Sequence, residues 1–120
     1  MMENPFAEEP KPTSAWLWQV LTGVGLVILL GLHFIANHFV AKGGLRDFEE
    51  VVAYLRNPVI LCLEVLFLLC VTVHALLGVR AIFLDFGLSE PAERRLDQVL
   101  KAVGFLTVGY GLAVTWMVIR

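Results

Sequence analysis

Three histidines, His33, His38 and His74, are the main candidates for chemistry in a chain dominated by aliphatic side chains. His74 lies inside the run NPVILCLEVLFLLCVTVHALLGVRAIFLDFG, from Asn57 to Gly87, with Glu64 before it and Gly78, Arg80 and Asp85 after it. Ionisable side chains are costly at membrane depth, and where they occur they face a bundle interior and find a partner. The plainest partner is a hydrogen bond between helices. The sharper one is a metal, since neutral imidazole is a common metal ligand. His33 lies seven residues before Val40, about 10 Å from that helix end, while His74, sixteen residues after Pro58, is about 24 Å deep from the same side. The two imidazoles therefore differ in depth by about 14 Å and cannot ligate one iron together. If both hold haem, they serve two stacked haems, each with an opposing histidine from another chain. A bis-histidine haem is a low-spin electron carrier whose axial ligands set much of its potential.

The neighbouring residues fit such a pocket. Glu64, Val71, Gly78 and Asp85 are seven apart and share a seam, with His74 on the adjoining row. Gly78, one turn beyond His74, leaves room where a side chain would meet a porphyrin. Arg80 either pairs with a haem propionate or snorkels toward the nearer interface. Asp85 is either a contact for a polar substrate head group or a solvated helix-end residue. His38 is only about 3 Å of rise from its helix end. It reads as an interfacial residue, a propionate partner, or the ligand in place of His33. Glu64 is either neutral and hydrogen-bonded or part of a proton path.

The elements that must position these residues are membrane helices. Of 120 residues, 58% are hydrophobic and only 17% charged, and the mean hydropathy is +0.78, a composition that describes a small membrane protein. A net charge of −2 gives no purchase on nucleic acid. There is no phosphate loop, Ser-His-Asp arrangement or zinc spacing. Cys62 and Cys70 sit within an apolar run and read as small hydrophobes. The expected fold is an all-α membrane protein: three transmembrane helices over about 15–40, 58–86 and 97–119, forming half of a larger helical bundle, plus a short amphipathic surface helix within Leu45–Arg56. Ser14 is the expected N-cap of the first span, Lys42-Gly43-Gly44 its end, and Asn57-Pro58 the start of the second. Gly23, Gly25, Gly31, Gly104, Gly109 and Gly111 offer close helix approach. Residues 1–14 form a polar tail without the basic region of a secretory signal, which reads as a retained cytoplasmic tail. Basic residues are nearly balanced on the two sides, so charge alone leaves the topology open.

At HALLGVRAIFLDFG, and again at WLWQVLTGVGLVILLGLHFIANHF, the chain resembles the small membrane-anchor subunit of succinate dehydrogenase (complex II) or fumarate reductase, of the two-haem kind. The resemblance implies that His74 binds haem b with the opposing ligand from a second membrane cytochrome subunit, and that His33 serves a second haem in the same way. It also implies a quinone pocket at Asp85, beside the iron–sulfur subunit. The N-terminus and the Phe86–Asp97 loop would then face the cytoplasm of a bacterial cell, the chain sitting in the inner membrane. Phe86 stands where single-haem anchors carry a quinone-binding tyrosine, and Val20 where many carry an arginine. The quinone site is therefore expected to be displaced toward the partner or held by Gln19, Thr22 and Asp85. Two cysteines are too few for an iron–sulfur cluster, so succinate chemistry belongs to the flavoprotein and iron–sulfur chains. The alternatives are a hydrogenase-type cytochrome b anchor and a haem-free structural anchor.

Overall fold

The computed structural model describes residues 13–40, 43 and 46–120. Residues 1–12 of the expected tail, and most of the Lys42-Gly43-Gly44 break, lie outside the described residues. Four helices follow in order: α1 (Ser14–Ile35), α2 (Phe48–Leu55), α3 (Pro58–Leu84) and α4 (Glu90–Ile119), with a π-helical turn over Ala36–Val40 extending α1. Helices α1 with its extension, α3 and α4 are each long and apolar enough to cross a membrane.

Local chemistry sets the boundaries. The N-cap of α1 is Thr13, not Ser14; its hydroxyl oxygen accepts from the Trp16 N–H at 3.3 Å. Thr13 has the extended backbone a cap needs, whereas Ser14 is already helical. Asp47 caps α2 in a reciprocal box with Glu50, each side chain accepting from the other's backbone N–H. Asn57 caps α3 by accepting from the Val59 N–H at 2.9 Å, with Pro58 at the first helical position. Such a cap contributes about 1 kcal/mol. Gly87 ends the α3 segment with φ +71°, a left-handed conformation that L side chains rarely adopt. The third span begins seven residues earlier than expected, at Glu90. Glu93, Arg94 and Arg95 form its polar first turns, because Ser89-Glu90-Pro91 already supplies a helix start.

Helix α3 is the middle of an open layer. Helices α1 and α4 each pack on α3 and not on one another, and α2 rests against α3 and α4. Val51, Val52, Tyr54 and Leu55 of α2 are half-buried while Phe48 is exposed, and the Arg56 Nε donates to the Ile119 carbonyl at 3.3 Å. Among the described residues only Thr22 and Thr72 are buried, and no large apolar side chain is. Most of the apolar surface therefore remains for lipid or another chain. The contacts that exist rely on small residues. A Cβ on Gly104 would lie 2.8 Å from a Leu76 methyl, and one on Gly111 2.7 Å from a Leu68 methyl, so the leucines of α3 sit in notches on α4. Gly25 similarly faces the Cys70 sulfur of α3. Among the described residues nothing lies within 4 Å of a Cβ added at Gly31 or Gly109. Both cysteines are free thiols.

Candidate functional site

Glu64, Phe67, Cys70, His74 and Gly78 of α3 all touch α1. Their spacing of three and four places them on one helical face, which carries every polar contact between the two helices.

His74 is held at its Nδ1. That atom lies 3.1 Å from the Gln19 carbonyl and 3.3 Å from the Thr22 hydroxyl. A carbonyl only accepts, so Nδ1 carries the proton and donates. Thr22 spends its own proton on the Trp18 carbonyl at 2.6 Å, which leaves its oxygen as a second acceptor. The lone pair therefore sits on Nε2, which has no partner among the described residues. Gly23 makes the approach possible: a Cβ there would lie 3.1 Å from His74 Cε1.

His33 is also held at Nδ1, but by a carboxylate. Glu64 Oε1 lies 2.9 Å away, and the same oxygen accepts from the Tyr54 hydroxyl at 3.0 Å. The imidazole stacks on Phe67 with centroids 5.5 Å apart. One turn on, in the π-helical turn, the Asn37 amide donates to the His33 carbonyl at 2.8 Å. Arg46 bonds Asn37 Oδ1 and the Ala36 carbonyl, and its guanidinium lies 4.1 Å over the Tyr54 ring. Burial pushes the Tyr54 phenol above its ordinary pKa, and the neighbouring Glu64 carboxylate adds to the shift. The His33 side chain is 40% exposed, so its ring stays reachable from outside the chain. Glu64 and His74 are ten residues apart on one helix, about 15 Å of rise, so the two imidazoles occupy separate sites.

The weaker candidates fall elsewhere. Gly78 is covered by Gln19, whose Nε2 would lie 3.5 Å from an added Cβ, so its observed neighbour is a side chain of α1. Arg80 donates to Asp97 at 2.7 Å and to Glu93 at 3.0 Å, because the polar first turns of α4 run beside the end of α3. It is a strut between those helices. His38 is exposed and stacks on Phe34, one turn away, with centroids 4.7 Å apart. Gln19 and Asp85 line a cleft of about 340 Å³ between the start of α1 and the end of α3, with Thr13, Trp16, Arg80 and Leu84. Gln19 Oε1 is buried and has no hydrogen-bond partner among the described residues. Thr22 belongs to His74 and not to this cleft.

Sequence reading missed Tyr54 and the Glu64–His33 pair, and it gave Gly23 as a place for close helix approach without His74 as its neighbour. A lone tyrosine on the apolar side of a surface helix was the available signal for the first. The pairing had none, since 31 residues separate its members. Among the described residues no group of three or more His, Cys, Asp or Glu is placed to hold a metal ion.

Residues 6–111 match the family model described as Succinate dehydrogenase/Fumarate reductase transmembrane subunit. The chain is 32% identical over 112 residues to the succinate dehydrogenase hydrophobic membrane anchor subunit of Archaeoglobus fulgidus, covering 93% of this chain and 95% of that one. It is 29% identical over 102 residues to the protein of the same description from Thermoplasma acidophilum, covering 85% and 83%. Both relatives are archaeal, so the bacterial setting expected from sequence finds no support in them.

Proposed function

The chain belongs to the succinate dehydrogenase/fumarate reductase transmembrane subunit family, and from that premise we propose that it is a haem b-binding membrane anchor passing electrons to quinone. His74 would ligate one haem and His33 a second, each with an opposing histidine from a second membrane cytochrome subunit. The observation that carries this reading is that both imidazoles have Nδ1 tied to an acceptor while Nε2 stays without a partner among the described residues. A hydrogen bond at one ring nitrogen fixes the tautomer and orients the other toward a metal. The donor set therefore fits haem. When bound, haem supplies one-electron transfer.

The chain's own residues do the rest. The Gln19 carbonyl and Thr22 keep the proton of His74 on Nδ1. The cleft lined by Gln19 and Asp85 offers an exposed carboxylate to a quinone head group, and Asp85 can relay protons from water when quinone is reduced. That end of the chain faces the cytoplasm in this reading, and docks the iron–sulfur and flavoprotein subunits that carry succinate chemistry.

A pyridine haemochrome assay on the complex purified through a tag on this chain tests it. Two b haems per complex are expected, and none overturns it. The Glu64–His33 bond favours a second reading, in which His33 only joins helices; one haem per complex, kept by His33→Ala, would establish that.

A further inference from the structure

Glu64 does more than satisfy a stray polar group. It places a carboxylate six residues into α3, about 9 Å from the helix start, where an acid is costly unless donors meet it. Two donors do, and both reach the same oxygen: His33 Nδ1 at 2.9 Å and the Tyr54 hydroxyl at 3.0 Å. The grip on His33 is double. Glu64 holds its ring, Asn37 holds its carbonyl at 2.8 Å, and Arg46 joins the two by bonding Asn37 and lying over Tyr54. His74 has no such arrangement, being held by a backbone carbonyl and a hydroxyl. A carboxylate at Nδ1 raises the basicity of the opposite nitrogen more than a neutral acceptor does.

We infer that Glu64, steadied by Tyr54 of the surface helix, is a positioning residue for His33 that fixes its tautomer and makes Nε2 the more basic of the two imidazole ligands. The inference rests on His33 being a haem ligand. A more basic axial ligand favours ferric over ferrous iron, so removing the charge makes the haem at His33 easier to reduce.

The test uses the purified complex with haem content, redox titration and low-spin EPR as readouts. His33→Ala should remove one haem of two. Glu64→Gln should keep both haems but raise the midpoint of that one haem by about 59 mV, a tenfold change in its reduced-to-oxidised ratio at fixed poise. Its EPR g values should move too, while the other haem stays put. Tyr54→Phe, which loses the hydroxyl that steadies Glu64, should shift the same midpoint by less than about threefold, and Glu64→Asp should restore part of the Glu64→Gln shift. If Glu64→Gln fails to assemble, Tyr54→Phe decides by the same readout. Loss of a haem in His33→Ala, with no shift in either Glu64→Gln or Tyr54→Phe, overturns the positioning role and leaves the ligand. Two haems retained in His33→Ala remove both.

Discussion

The two imidazoles are held alike at Nδ1 and unlike in everything that does the holding. His74 needs only two helices. Its acceptors are a main-chain carbonyl and a hydroxyl of α1, and its room is the missing side chain of Gly23. His33 needs three: a carboxylate from α3, a phenol from α2 and an amide in its own π-helical turn. A backbone acceptor is fixed by helix packing and tolerates most sequence changes. A carboxylate is fixed by one side chain and brings a charge. One neighbourhood is thus built for position alone, and the other for position and electronics.

The largest effect should come from breaking the His74 side of this comparison. His74→Ala should abolish one b haem per complex and leave the His33 haem with unchanged EPR g values, read by haemochrome and spectroscopy. Losing the same haem as His33→Ala would contradict the separation of about 15 Å. Next comes Gly23→Ala, which sets a methyl 3.1 Å from the ring and should lower haem occupancy at His74 several-fold. Gly31→Ala, with no neighbour among the described residues within 4 Å of the added methyl, should leave both haems in place. Arg80→Gln sharpens the contrast from the contacts of α3 with α4. It loses two partly exposed ion pairs and should cost about 1 kcal/mol, seen as a lowered Tm in detergent, with both haem midpoints unmoved.

The smallest effect belongs to Tyr54. Its phenol pKa is raised above 10.0 in the folded chain. The neutral form is therefore favoured by folding, its contribution is complete below pH 10.0, and it is lost as the pH climbs through the raised value. Thermal stability should fall above about pH 10, and Tyr54→Phe should flatten that decline. A wild-type curve as flat as the variant's would deny Tyr54 the burial that raises its pKa.

How much of this was legible beforehand differs between the two neighbourhoods. Apolar run lengths and the Asn57-Pro58 start announced three spans, and an imidazole in each of two spans announced candidate sites at different depths. The helix boundaries were off where two capping residues competed, as at Thr13 and Ser14. Glu64 was visible as an isolated acid, yet its partner was not. Arg80 drew attention as an anion contact, and its anions turned out to be Asp97 and Glu93 of the same chain. A side chain's type says what it can bind, and only the packing says what lies within reach.

The sequence by itself determined the membrane class and the number of candidate spans, because hydropathy and the length of apolar runs depend on residue order alone. Tertiary structure decided which face of α3 meets α1, and hence that Gln19 and Thr22 hold His74, that Glu64 and Tyr54 hold His33, and that Arg80 is occupied. Those contacts join residues 10 to 55 positions apart. Their distances depend on helix rotation and crossing, which are set by glycine notches and caps acting together.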